Sequence, residues 1–221
     1  RDAISDLRIR SAAGAVQARN LQSAIRNSLA QDLLTSHCVR FGQFTLKSGA
    51  VSPIYLDLRQ LISHPLVLQR AAQAYAEVLR GLRFDRLAGI PYAGLPIATA
   101  IALEMNRPLI YPRREAKAYG TKAAIEGDFN AGETVVVIDD LATTGETKIE
   151  TIQRLEAAGL KVRDVVVLID REQGAGAYLA GRGYNYYAVA GLRSLLDEWK
   201  GSGAISNAQF REVEAFLRQG S

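Results

Sequence analysis

Strand-like and helix-like patterns of apolar residues alternate along most of the chain. Continuous apolar runs at 134–138 and 162–169 predict strands buried on both faces, because a strand with one solvent face would alternate apolar and polar residues. Other predicted strands lie at 84–90, 109–111 and 184–189, and predicted helices at 65–79, 95–105, 146–158, 175–181, 192–200 and 206–218. This alternation predicts an α/β fold with a central parallel sheet flanked by helices.

The N-terminal part of the chain has a different pattern. Apolar residues recur at four-residue spacing, which predicts an amphipathic helix over about 15–34 whose buried face holds Leu21, Ile25, Leu29 and Leu33. Residues 1–14 are interpreted as a linker or tail and 15–221 as a single domain. Two short strands are predicted at 44–46 and 53–58, around a Lys-Ser-Gly turn.

Composition limits the classes of protein that need consideration. The chain has 221 residues, of which 48% are apolar and 23% charged, as in an ordinary globular domain. The longest stretch without charge, 87–103, contains Pro91 and Pro96, so no membrane helix is expected. Cys38 is the one cysteine, which excludes an intrachain disulfide and favours a reducing, cytoplasmic location.

The positive charge is concentrated at the N-terminus. Six arginines and three aspartates within residues 1–40 give +3 of the total +4. No aromatic residues are interleaved with these arginines, so a solvated helix face is favoured over a nucleic-acid site.

The segment 135–147, with the sequence VVVIDDLATTGET, carries the strongest chemical signal. A buried strand leads to Asp139 and Asp140, and a turn rich in Thr and Gly leads into a helix. Free backbone N–H groups and a helix N-terminus suit a phosphate, and carboxylates at a strand end suit ribose hydroxyls or metal-bound water. The segment is neither a Walker A loop nor a dinucleotide fingerprint.

The segment resembles the signature of the type I phosphoribosyltransferases, which bind 5-phosphoribosyl-1-pyrophosphate (PRPP). Four more segments resemble orotate phosphoribosyltransferases, particularly the domain found in bifunctional UMP synthases. They are the base-binding segment at 44–57, the pyrophosphate loop at 89–96, the mobile loop at 113–122 and the orotate-contacting turn at 170–174. The resemblance implies a small N-terminal base-binding hood at about 37–62 and a core at about 63–200.

The resemblance also implies roles for individual residues. Lys117, Asp139 and Asp140 are the implied catalytic residues. Implied PRPP contacts are Lys47, Tyr92, Ala93, Arg113, Arg114, Lys117, Tyr119, Asp139, Asp140, Leu141, Ala142, Thr143, Thr144, Gly145, Glu146 and Thr147. Implied orotate contacts are Lys47, Tyr55, Leu56, Thr143 and Arg171.

Three positions depart from patterns common in the family. Tyr119 replaces a histidine and Ala93 replaces a lysine, so Lys117 and the loop arginines are expected to neutralise more of the leaving group. Leu56 replaces an aromatic residue, which makes Tyr55 the expected stacking partner of the base.

The implied reaction joins orotate to the phosphoribosyl group of PRPP, giving orotidine 5′-monophosphate and pyrophosphate. Mg²⁺ is expected to bind mainly through PRPP and water, with no direct protein ligand. A homodimer is implied, with the loop 112–127 completing the neighbour's site. Covalent fusion to orotidylate decarboxylase stays open beside simple N-terminal processing. Two alternatives remain open: another type I phosphoribosyltransferase, and a PRPP-sensing regulator that binds nucleic acid.

Overall fold

The computed structural model describes residues 28–46, 49–113 and 124–219. Its strands are β1 (Val39–Thr45), β2 (Val51–Leu56), β3 (Arg86–Gly89), β4 (Leu109–Pro112), β5 (Ile125–Glu126), β6 (Thr134–Ala142), β7 (Lys161–Asp170) and β8 (Asn185–Gly191). Its helices are α1 (28–35), α2 (Pro65–Leu79), α3 (Gly94–Met105), α4 (Glu146–Ala157), α5 (Ala175–Ala180), α6 (Leu192–Gly201) and α7 (Asn207–Gln219). A 3-10 helix spans Leu58–Ser63. In these described ranges no helix is long and apolar enough to cross a bilayer.

The central sheet has the strand order β5-β4-β3-β6-β7-β8. Strands β4, β3, β6, β7 and β8 are parallel, and β5 pairs antiparallel with β4 at the edge. The predicted fold class is therefore confirmed. The sequence analysis missed β5, because two residues in a polar segment produce no hydrophobic period.

Both faces of the sheet are covered, as the continuous apolar runs predicted. Val136 and Ile138 of β6 belong to the core cluster formed with α2 and α3, whereas Val135 and Val137 belong to the cluster formed with α4 and α5. All four side chains are inaccessible to solvent. Adjacent residues of one strand thus enter opposite layers, and this is why the strand sequence does not alternate.

Most strand boundaries differ from their predictions by a few residues, and the end of β6 and the start of β1 differ most. Strand β6 continues to Ala142 instead of ending at 138, because Leu141 and Ala142 pair with Ile169 and Asp170 of β7. The Asp139–Asp140 pair therefore lies within the last residues of the strand. Strand β1 covers Val39–Thr45 instead of beginning at 44, since its antiparallel pairing with β2 includes the polar position Arg40.

Helix α1 packs onto the main core. Leu29 and Leu33 are fully buried, and the indole Nε1 of Trp199 donates to the carbonyl oxygen of Ala30 at 2.8 Å. Asp32 accepts two hydrogen bonds from the Arg70 guanidinium of α2, at 2.5 and 2.7 Å. Two of the four predicted docking residues are thus in place; Leu21 and Ile25 lie outside the described residues.

Removing residues 1–36 should destabilise the domain, whereas removing residues 1–14 should not. Burial of one Leu stabilises by about 1.5–3 kcal/mol, and about 1 kcal/mol corresponds to about 2–4 °C for a chain of this size. Loss of Leu29, Leu33 and the Trp199 acceptor should therefore lower the Tm by about 10 °C or more. Thermal melts of both truncations test this; equal melting temperatures would show that α1 is not part of the domain.

Candidate active site

A cleft of about 360 Å³ lies at the carboxyl ends of β3 and β6. In open α/β sheets this edge is the usual place for a ligand. The lining comes from the segment after β3, the end of β6 and the first turns of α4. It consists of Ile90, Pro91, Tyr92, Ala93, Pro112, Asp139, Asp140, Leu141, Thr143, Thr147, Lys148, Glu150, Thr151 and Arg154.

Asp139 is a buried carboxylate with a buried cationic partner. Its Oδ2 lies 2.7 Å from the Nζ of Lys148, its Oδ1 accepts from the backbone N–H of Asp140 at 3.0 Å, and it is only 7% exposed. The hydroxyl of Tyr75 on α2 donates to the Asp139 carbonyl oxygen at 2.5 Å. Backbone and side chain are thus held from three directions.

Asp140 lies next to a like charge in a poorly hydrated environment. Burial, followed by repulsion from Asp139, raises the pKa of Asp140 to about 7, and the Lys148 ammonium opposes this rise. The pair therefore changes its total charge near neutral pH. Two adjacent carboxylates of this kind suit cationic or hydroxyl-bearing ligands.

The turn after β6 leads directly into the N-terminus of α4. Leu141, Thr143 and Thr147 line the cleft. Gly145 lies at the N-terminus of α4 with φ +88, a conformation that side chains disfavour. Of the other implied PRPP contacts in this turn, Ala142 is buried, and Thr144 and Glu146 are exposed outside the lining residues.

The loop after β3 approaches the carboxylates because Gly94 has no side chain. A Cβ placed there would lie 2.9 Å from the carbonyl oxygen of Ile138 and 3.2 Å from the Oδ1 of Asp139. This close approach brings Tyr92 and Ala93 to the cleft wall, with Tyr92 64% exposed. Both predicted residues of this loop therefore line the candidate site.

Arg113 and Ala124, the described residues that flank 114–123, pair with each other beside the cleft. The backbone N–H of Arg113 donates to the carbonyl oxygen of Ala124 at 2.9 Å, and the Arg113 guanidinium pairs with the Glu126 carboxylate. Arg154 of α4 donates to the carbonyl oxygen of Arg113 at 2.8 Å. Arg113 lines an adjoining cavity of about 260 Å³. The predicted residues Arg114, Lys117 and Tyr119, and also Lys47, lie outside the described residues.

Of the implied orotate contacts that the structure describes, Thr143 lines the cleft, and Tyr55, Leu56 and Arg171 lie outside the lining residues. The Tyr55 ring stacks on Phe44 with centroids 5.3 Å apart, and the Arg40 guanidinium lies 5.1 Å from the Tyr55 centroid. Leu56 packs against the main core cluster. Contacts of Tyr55 and Leu56 with a base stay predictions.

Arg171 is a partly buried cation with one unsatisfied donor among the residues that the structure describes. Its backbone N–H donates to the carbonyl oxygen of Ala142 at 2.9 Å, but its buried Nε has no hydrogen-bond partner among the described residues. The neighbouring carboxylates are engaged elsewhere: Asp170 accepts from the backbone of Glu172, and Glu172 from that of Arg193. Burial lowers the pKa of Arg171. Such a donor suits an anionic ligand.

Sequence reasoning missed four polar residues of the lining: Lys148, Glu150, Thr151 and Arg154. One signal was available for Lys148. A lysine in the first turn of a helix opposes the helix dipole, so a buried one requires a nearby anion. The other three follow the ordinary spacing of a helix surface, which does not mark them as site residues.

The cleft combines the two kinds of charge that a phosphorylated sugar requires. Its carboxylates can accept hydrogen bonds from hydroxyl groups, and the turn at a helix N-terminus can bind an anion. The arrangement suits charge stabilisation and orientation of such a ligand.

Comparisons with known proteins agree with this chemistry. Residues 57–180 match the phosphoribosyl transferase domain family. An orotate phosphoribosyltransferase of Caenorhabditis elegans is 40% identical over 85% of this chain and 83% of its own length. The bifunctional enzyme PyrF/PyrE of a Nostoc species is 45% identical over 80% of this chain. The structure of Leishmania donovani UMP synthase covers 87% of this chain at 56% identity, with a TM-score of 0.81. The chain spans only 37% of the Nostoc enzyme and 42% of the Leishmania chain.

Proposed function

Because this chain belongs to the phosphoribosyltransferases and, within them, to the orotate phosphoribosyltransferase family, we propose that it transfers the phosphoribosyl group of PRPP to orotate. The products are orotidine 5′-monophosphate and pyrophosphate, a step of UMP biosynthesis. The observation that carries the proposal is the Asp139–Asp140 pair, held at the carboxyl end of β6 directly before the turn at the α4 N-terminus.

The residues suit a displacement at C1 of the ribose. The C1–O bond breaks and its electron pair leaves with pyrophosphate, while a ring nitrogen of orotate bonds to C1 and loses its proton to solvent. Asp139 and Asp140 accept hydrogen bonds from the ribose hydroxyls and stabilise positive charge on the sugar. The turn 141–147 holds the 5′-phosphate. Lys117 stabilises the charge that grows on pyrophosphate.

Arg171 supports orotate over a neutral base as the acceptor. Its backbone is hydrogen-bonded to the strand end at Ala142, and its buried Nε has no partner among the described residues, so a carboxylate on the base would complete its hydrogen bonding. A base without a carboxylate would leave this buried donor unsatisfied.

The donor set fits a Mg²⁺ ion held mainly by the substrate. The described residues contain no cluster of three His, Cys, Asp or Glu side chains that could coordinate a metal. Asp139 and Asp140 can accept hydrogen bonds from water on the ion, which would neutralise charge on the pyrophosphate.

The assembly and location of the protein are further parts of the proposal. We expect a homodimer in which the loop 112–127 completes the neighbour's site, and a cytoplasmic location. Covalent fusion to orotidylate decarboxylase is supported by the bifunctional enzyme and the UMP synthase, which are longer than this chain.

Loss of orotate absorbance on mixing the protein with orotate, PRPP and Mg²⁺ tests the main activity. Orotate should disappear only when PRPP is present. Parallel reactions with uracil, adenine or hypoxanthine test other phosphoribosyltransferases, and filter binding with RNA and DNA tests a nucleic-acid-binding regulator. Absence of orotate turnover under all conditions would overturn the proposal.

Arg171→Met should raise the KM for orotate far more than the KM for PRPP. A hydrogen bond to a charged group contributes about 1.5–3 kcal/mol, which corresponds to about 10–100-fold. Arg163→Met is a matched control, because Arg163 is exposed on β7, the strand that Arg171 directly follows. Steady-state kinetics of both variants measure the effect; an orotate KM within about twofold of the wild type would remove Arg171 from the orotate site.

A further inference from the structure

Lys148 is a buried cation at an unfavourable place in a helix. It lies in the first turn of α4, where the helix dipole repels positive charge, and its side chain is only 5% exposed. Burial of an ammonium is costly unless anions and acceptors surround it. Lys148 therefore needs local partners.

Those partners lie on both sides of the turn between β6 and α4. The Nζ of Lys148 is 2.7 Å from Asp139 Oδ2, donates to the carbonyl oxygen of Leu141 at 2.6 Å, and lies 3.5 Å from the Oγ1 of Thr147. A single ammonium thus connects Asp139 and Leu141 at the end of β6 with Thr147 in the first turn of α4. Lys148 also lines the cleft.

We propose that Lys148 is a positioning residue of the PRPP site, which fixes the Asp139 carboxylate and holds together the two ends of the turn 141–147. This inference rests on the proposed function. It assigns Lys148 no direct contact with the reacting atoms: it acts through Asp139 and the turn.

Several charged or titratable groups surround the carboxylate pair. On α4 these are Glu150 and Arg154, which line the cleft with Lys148. From the other packed elements, Tyr75 of α2 and Tyr186 of β8 interact with the pair, and Asp170 of β7 interacts with Tyr186. The Lys148 ammonium lowers the pKa of Asp140, whereas burial and the charge of Asp139 raise it. Removing the ammonium should therefore shift protonation of the pair to higher pH.

The experiment compares Lys148→Met, Lys148→Gln and Lys161→Met by steady-state kinetics. The first variant removes charge and hydrogen bonds, the second keeps donors for Leu141 and Asp139 without the charge, and the third makes the same change at an exposed lysine. Profiles of kcat/KM for PRPP are measured from about pH 5.5 to about pH 9.

Lys148→Met should raise the KM for PRPP about tenfold or more, because it removes a charged hydrogen bond from Asp139 and one from the turn. In both Lys148 variants the acidic limb of the profile should move to higher pH, and the KM for orotate should stay within about twofold. Lys161→Met should match the wild type. A purely structural lysine would lower activity equally at all pH values.

Titration of the free protein by ¹³C NMR of labelled Asp carboxyls separates this inference from the proposed function. A higher midpoint for Asp140 in both Lys148 variants supports the inference even if wild-type protein does not turn over orotate. The inference is overturned by unchanged midpoints, by a wild-type PRPP KM and pH profile in Lys148→Met, or by failure of both variants to fold.

Discussion

Lys117→Ala is expected to lower kcat by about 10²–10³-fold, the usual cost of removing one donor to charge that develops in a transition state. The KM for orotate should change little, because in the proposed mechanism the lysine acts on the pyrophosphate side of the reaction. Lys117 lies outside the described residues, but both ends of its segment are placed beside the cleft by Arg113 and Arg154. Steady-state kinetics with Lys161→Met as the control measure the effect; an unchanged kcat would remove Lys117 from the mechanism.

Mixing this variant with a second inactive variant tests whether the loop acts across a dimer. If it does, Lys117→Ala combined with the Asp139→Asn, Asp140→Asn double variant should regain one intact site in each heterodimer. Subunit exchange is verified separately with tagged chains. Exchange without recovery of activity would show that the loop serves the site of its own subunit.

The Asp139→Asn, Asp140→Asn double variant is expected to lose about 10²–10⁴-fold in kcat/KM for PRPP. Each carboxylate contributes a charge-assisted hydrogen bond to the sugar, worth about 1.5–3 kcal/mol, or about tenfold for each 1.4 kcal/mol. Asn keeps the shape and removes the charge. Asp197→Asn, at an exposed position of α6, is the control and should behave as wild type. Retention of wild-type kcat/KM would remove the pair from the mechanism.

Asp140→Asn alone should increase the stability of the folded protein at pH 8. An unfolded Asp has a pKa of about 3.9, and the folded value for Asp140 is raised to about 7. The folded state therefore binds more protons across this window, so its stability falls as pH rises from about 4 to 7. Asn removes this penalty, so the variant should unfold at higher denaturant than wild type at pH 8 and lose that advantage near pH 4. Equal or lower stability at pH 8 would contradict the placement of the pair.

The core of the site could be predicted from one local segment. Strand β6, the two carboxylates, the turn and the start of α4 follow one another within 134–147, so their proximity depends on short-range geometry. The same locality explains why the parallel sheet and its helices were predicted correctly. The hydrophobic pattern of an element, periodic in a helix and continuous in a buried strand, is a property of its own sequence.

Contacts between distant elements could only be obtained from the tertiary structure. The approach of Gly94 to Ile138 and the bond from Tyr75 to Asp139 join residues more than forty positions apart. The buried Nε of Arg171 has no hydrogen-bond partner among the described residues, and this could be recognised only once the partners of Asp170 and Glu172 were known.

The sequence by itself determined the parallel strands, the helices that flank them and the Thr- and Gly-rich turn before α4, because hydrophobic patterns and turn chemistry act over a few residues. Tertiary structure alone decided where strands β1 and β6 begin and end, since strand pairing depends on a partner elsewhere in the chain. It also decided the pairing of Lys148 with Asp139. The side-chain directions and burial that make this lysine a cleft residue arise only when α4 packs on the sheet.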